Sequence, residues 1–224
     1  MARATPAFSK IDGQRAIMVL FNKEAPVKNT VLVNLSNRHI HLSQEDVDVL
    51  FGQGHQLTHM KDLMQPGQFA CTECVTVICD KGKLENVRVL GPTRKETQLE
   101  IMQSDAVKIT MKPVPARESG KIAGSASFEL VGPAGRVKKE QGMIVAVRHI
   151  HLDPKTAEDM GLVDNEVVSI RAGAPGRQVV FENVVARVSP SFLAECHIDF
   201  DEGNACGIGN GSQAEVIKKS ACCC

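Results

Sequence analysis

One segment of this chain occurs twice, and that constrains the fold more than any other feature. Ser36-Asn37-Arg38-His39-Ile40-His41-Leu42-Ser43 returns 110 residues later as Ala146-Val147-Arg148-His149-Ile150-His151-Leu152-Asp153. A second landmark, Glu85-Asn86-Val87, returns as Glu182-Asn183-Val184 at an offset of 97, which sets Glu100-Ile101 opposite His197-Ile198. A duplicated chain builds one supersecondary unit twice and packs the copies together. The first copy is longer by 13 residues between the landmarks, and the insertion is expected near Gly52 to Pro66, whose Gly, Gln and Pro residues read as loop.

Short alternating or β-branched runs dominate both copies, among them Val75-Thr76-Val77-Ile78, Val87-Arg88-Val89-Leu90, Val167-Val168-Ser169-Ile170 and Val184-Val185-Ala186-Arg187-Val188. Asp80-Lys81-Gly82 and Ala174-Pro175-Gly176 separate strands as turns. Each His-x-His segment runs into a short helix, one with Ser43 as N-cap and the other with Asp153 ahead of Pro154. Many short strands and few helices suggest two small barrels or sandwiches. The expected division is an N-terminal extension over 1–28, a first β-barrel repeat over 29–115, a connection over 116–142, a second repeat over 143–208 and a tail over 209–224.

Composition narrows the partners. With 26 basic and 26 acidic residues the formal net charge is zero, which gives no electrostatic reason to expect nucleic acid or an anionic membrane. Trp and Tyr are absent, so base-stacking platforms are scarce. No apolar run approaches the ~20 residues of a spanning helix. The stretch Ala16 to Phe21 is too brief for a secretory core and lacks a small-residue cleavage site. Five of the eight cysteines are scattered and three end the chain, Cys222 to Cys224, which fits reduced thiols and a cytoplasmic protein. The terminal run is not a prenylation box, because Ala221 occupies the fourth position from the end.

Seven histidines are present and four lie in the repeated motif. Residues two apart in a strand face one way, so His39 and His41 can converge on one ion, as can His149 and His151. Equivalent repeat positions supply third ligands, Glu100 and His197. The resulting His₂Glu and His₃ sets suit a catalytic zinc that keeps a position open, with other divalent transition metals remaining open. Cys71 and Cys74 form no such site, since strand residues three apart face opposite sides and no second cysteine pair follows. His55 and His59 fall in the insertion and are expected to face solvent. Arg94, after the Gly91-Pro92 turn, can offer a bidentate fork to an oxyanion. Walker and Rossmann glycine fingerprints are absent, so nucleotide hydrolysis and hydride transfer lose support.

These motifs, together with Lys61-Asp62-Leu63, Gln65-Pro66-Gly67-Gln68-Phe69-Ala70, Gly91-Pro92 and His197-Ile198-Asp199, closely resemble the PduL-type phosphotransacylases, or phosphate propanoyltransferases, over about residues 30 to 208. The resemblance implies two β-barrel domains with short helices and a dinuclear zinc site between them. It also implies reversible acyl transfer between coenzyme A and phosphate, with small-molecule substrates. Carried over by motif, His39, His41 and Glu100 would hold one zinc, and His149, His151 and His197 the other. Arg94 would bind phosphate, and Ser36, Lys61, Arg88, Leu90 and Asn204 would contact coenzyme A. Some relatives carry an N-terminal amphipathic helix that directs them into bacterial microcompartments. Gly13 and Pro26 break such a pattern here, and the resemblance leaves encapsulation and homo-oligomer formation open. A di-zinc thioester hydrolase would share the ligand set, and a non-catalytic metal- or coenzyme-binding module is the third reading.

Overall fold

A computed structural model describes residues 29–218. The N-terminal extension over 1–28 and the run Cys222 to Cys224 lie outside the described residues. Fourteen strands and four short helices are described, and the strands close into two barrels of six. None of the described helices is long and apolar enough to cross a membrane.

The first barrel closes through β2 (His39–His41), β4 (Phe69–Ile78), β5 (Lys83–Gly91), β6 (Gln98–Glu100), β8 (Ala126–Val131) and β9 (Arg136–Ala146). Its strands pair around the ring as β4, β5, β2, β6, β9, β8 and back to β4. Two outlying strands, β3 (His59–Asp62) and β7 (Ala116–Arg117), pair with β4 and β9. The second barrel comprises β1 (Thr30–Ser36), β10 (His149–Leu152), β11 (Val167–Ala172), β12 (Val179–Val188), β13 (Glu195–Asp199) and β14 (Ser212–Ile217). It closes in the order β1, β13, β10, β12, β11, β14.

This partition corrects the sequence-based boundaries. Strand β1, expected in the first domain, belongs to the second barrel, and β9, expected in the connection and the start of the second repeat, belongs to the first barrel. The tail contains β14, which completes the second barrel. The pairing is reciprocal. Strand β1 runs parallel to β13 with Asn34 opposite His197, and β9 runs parallel to β6 with Ile144 opposite Glu100. Asn34 and Ile144 are 110 residues apart, the repeat offset, so each repeat lends its first strand to the other's barrel. Main-chain hydrogen bonding outweighs sequence proximity here because an open barrel would leave edge N–H and C=O groups unpaired.

The crossing segments are pinned alike. Arg38 donates from Nε to Asp105 Oδ2 at 2.8 Å, and Arg148 donates from Nε to Glu202, at matching repeat positions. Those carboxylates lie on α2 (Gln103–Ile109) and α4 (Phe200–Cys206). Ser104 N donates to Asp201 Oδ2 at 2.8 Å and ties the two helices across the junction. Gly203 packs on the exchanged strand, and a Cβ there would stand 2.6 Å from the Leu35 side chain.

Side-chain alternation explains the rest. In the His-x-His strands Ile40 and Ile150 point inward with no exposure, each into its own barrel core, and the histidines point out. Helices α1 (Gln44–Phe51) and α3 (Pro154–Met160) follow, capped by Ser43 and Asp153 as the sequence indicated. Asn86 and Asn183 occupy matching left-handed positions (φ 56° and 57°) where each strand carries a bulge, which accounts for Asn in both Glu-Asn-Val landmarks.

Pair register refines the insertion. Val75 pairs with Val87 as Val168 pairs with Val184, an offset of 93 between β4 and β11 against 110 at the His-x-His strands. Seventeen residues are therefore inserted ahead of β4, and the hairpin after it is four shorter than its counterpart. The insertion is also not all loop, since it contains β3, which lies on the outside of β4. His55 is part-buried rather than solvated, with Nε2 2.8 Å from Glu73 Oε1 and its ring stacked on Phe51, while His59 is exposed as expected. Cys71 is buried and Cys74 half-buried in β4, both as free thiols.

Candidate metal centre

The two His-x-His strands meet at the junction of the barrels, and each is completed by an antiparallel neighbour. His39 lies directly across from Glu100, and His149 directly across from His197. Ligand-capable atoms of His39, His41 and Glu100 lie within 4.8 Å of one another, as do those of His149, His151 and His197. A cavity of about 730 Å³ is lined by all six, so the two sets share one site.

The imidazoles are arranged as acceptors. His39 Nδ1 lies 2.8 Å from the Asn37 carbonyl oxygen and His149 Nδ1 lies 2.9 Å from that of Val147. With Nδ1–H donating to these carbonyls, Nε2 keeps its lone pair for the site. His41 Nδ1 and both ring nitrogens of His151 are buried without a hydrogen-bond partner. Orphaned buried nitrogens of this kind are costly unless something binds them. A divalent cation fits these residues.

Electrostatics agree with that fit. Burial, then the neighbouring His39, holds His41 well below the usual imidazole range. Burial and His197 bring His149 down to about 4, and burial with His149 and His197 brings His151 down to about 3. All three are neutral near pH 7, the form that ligates. Burial opposes the charge on Glu100, but His39 and His41 outweigh it and hold the carboxyl at about 2.

Two residues that the sequence reading missed complete the patch. Gln98 lies across from His41, and Glu195 across from His151, at matching repeat positions. Gln98 Nε2 donates to Glu100 Oε1 at 2.6 Å and to Ser119 Oγ at 2.9 Å. Glu195 Oε2 lies 3.0 Å from His197 Nε2, and the carboxylate accepts from Asn34 Nδ2 and, at 2.6 Å, from Gln65 Nε2. With Nε2–H donating to Glu195, His197 presents Nδ1 as its free acceptor. The signal was available: each lies two residues before a third ligand, on the same strand face.

Arg94 lines the cavity as expected, its backbone N–H donating to the Leu42 carbonyl at 2.8 Å and its Nη1 to Ser119 Oγ at 3.2 Å. Ser36, Lys61, Arg88 and Leu90 also line it, with Arg88 held by the Cys71 and Thr72 carbonyls at 2.9 Å each. Asn204 does not. It is exposed on α4, and its carbonyl accepts from Arg177. The insertion supplies Met60, Lys61, Met64, Gln65 and Gln68 to one wall, and Gln65 reaches across to the Leu193 carbonyl. One repeat thus roofs a site that both repeats floor.

Fold and site together define a class: two fused, closed β-barrels whose junction carries two histidine-rich ligand sets beside an unpaired arginine. Residues 32–209 match the model of the phosphate propanoyltransferase family. The chain belongs to that family, and it is an acyltransferase of the phosphotransacylase type. It is 43% identical to a phosphate propanoyltransferase of Thermotoga maritima (91% of this chain, 95% of that protein). It is 47% identical to one of Clostridioides difficile (84% and 89%), and 40% identical to one of Enterococcus faecalis (94% and 100%).

Proposed function

We propose that this protein transfers a short acyl group, propanoyl or acetyl, reversibly between coenzyme A and inorganic phosphate, with two zinc ions held at the barrel junction. One zinc would be held by His39, His41 and Glu100, the other by His149, His151 and His197. The observation that carries the reading is the convergence of both ligand sets and Arg94 on one cavity. Bound zinc would supply Lewis acidity toward phosphate and carbonyl oxygens, and a soft affinity for the departing sulfur.

The chain's own residues do the rest. The Arg94 guanidinium faces the cavity without a carboxylate partner among the described residues and is proposed to orient one phosphate oxygen toward the thioester carbonyl carbon. The carbon–oxygen bond forms as the carbon–sulfur bond breaks, and the proton of hydrogen phosphate passes to the departing thiolate. No covalent acyl-enzyme is required. Ser36, Lys61, Arg88 and Leu90, which line the cavity, are the proposed coenzyme contacts. Asn204 is retained as a proposed contact for the outer part of the coenzyme.

Thiol release from propanoyl-CoA tests the reading. Release should depend on added phosphate, stop on chelation and return with zinc. Release without phosphate would mark a thioester hydrolase instead. Full metal occupancy with no turnover of any acyl-CoA would mark a binding module. Arg94→Ala should raise the phosphate KM or lower kcat with metal content unchanged, and normal phosphate kinetics would remove Arg94 from this role.

A further inference from the structure

We infer that Arg187 is a second phosphate-holding residue, facing Arg94 across the cavity so that each repeat contributes one guanidinium to the same anion. The inference deepens the proposed function and rests on phosphate as a substrate.

Arg187 lies on β12 directly beside His151, and its side chain lines the cavity that Arg94 lines. In the first repeat the matching position, beside His41, is Leu90. One strand position therefore carries an apolar side chain on one wall and a permanent cation on the other. Nothing in the barrel core asks for that cation, because the site face of β12 points away from the core.

Its surroundings leave the charge uncompensated. Arg38, Arg148 and Arg171 each pair with a carboxylate, whereas the Arg187 side chain has no hydrogen bond or ion pair among the described residues. Its one defined contact is with the Phe192 ring, whose centroid lies 5.9 Å from the guanidinium carbon. Phe192 in turn stacks on His151 at 4.3 Å. The ring stack aims a planar cation without neutralising it. Arg94 likewise forms no ion pair among the described residues, its guanidinium donating to Ser119 Oγ at 3.2 Å. Two guanidiniums lining one cavity without ion-pair partners leave donors free for an anion bound between them. A hydrogen phosphate dianion has enough acceptor oxygens for both forks.

A phosphoryl group could also come from the coenzyme, and kinetics separate the sources. The variants are Arg187→Leu, which installs the residue of the first repeat, and Arg187→Lys, which keeps the charge and loses the fork. Losing a charge-assisted pair should raise the phosphate KM roughly 10- to 100-fold in Arg187→Leu, with partial recovery in Arg187→Lys. The acyl-CoA KM should stay within about twofold, since phosphate contacts alone are lost. Elemental analysis should find wild-type metal content. Without turnover, inorganic phosphate should raise the Tm of the wild type and fail to raise that of Arg187→Leu. That arm tests the clamp even if the transfer reading fails in the thiol-release assay. An unchanged phosphate KM and phosphate-induced shift overturns the inference. So does a rise confined to the acyl-CoA KM, and so does metal loss in both variants, which would make Arg187 a packing residue.

Discussion

At the residue scale the two ligand sets carry equal charge by different routes. The first uses a carboxylate as ligand with a neutral Gln98 behind it, and the second uses a third imidazole with Glu195 behind it. Each set thus brings one negative charge, within the proposed ligands in the first set and one hydrogen bond behind the third histidine in the second. Glu195→Ala should cost about 3 kcal/mol, because Gln65, Asn34 and His197 would lose a buried acceptor together. Glu195→Gln, which keeps the shape, should cost less, and urea midpoints would show the order; an unshifted midpoint in Glu195→Ala would mean the network contributes nothing. The six proposed ligands could be read from sequence because a strand period of two and a repeat offset are arithmetic. Arg187 could not be, since its place beside His151 depends on which strands pair, and pairing is a long-range property.

At the element scale, strand periodicity and cap residues located α1, α3 and the strands β2, β4, β5, β10, β11 and β12, for local physics sets these, while α2 and α4 were not foreseen. The insertion was placed but misread. Its strand β3 has no alternation of its own, every residue is exposed, and only pairing to β4 extends it. The Asn bulges follow from local chemistry and can be tested locally. Asn183→Val should lose about 1–2 kcal/mol from forcing a β-branched residue into the left-handed region, while Asn183→Gly should lose little. Equal unfolding midpoints for the two variants would contradict the backbone assignment.

At the scale of the whole molecule, the buried imidazoles bind folding to pH. His149 and His151 sit at about 4 and about 3 in the folded protein, against about 6.5 in an unfolded chain. Between those values the unfolded state binds more protons, so stability is full above about pH 6.5 and falls on acidification. Glu100 and Glu195, both held at about 2, add a loss of the same sign below about pH 4.5. Metal-stripped protein should therefore melt at a lower temperature at pH 5 than at pH 7.5. A melting temperature that rises or holds at pH 5 would show that the imidazoles are not neutral in the fold. Domain boundaries were the part of this scale that sequence missed, because a chain that leaves one barrel for the other at Asn37-Arg38 and again at Val147-Arg148 bears no composition change there.

The exchanged strands have a consequence for ancestry and assembly. Take the chain apart at the turn 132–135, between β8 and β9, and each half is an incomplete barrel that the other completes through an equivalent contact. That is the geometry of an isologous two-fold dimer in which every subunit hands its neighbour one strand, later joined end to end by a hairpin. The main chain of Asn29 meets that of Val216 where the second such hairpin would run. Halves divided at that turn and produced together should reassociate into one active two-chain protein, while either half alone should fail to give a protease-resistant barrel. A single half that folds stably as a monomer would contradict a shared origin of the two sites in one symmetric pair.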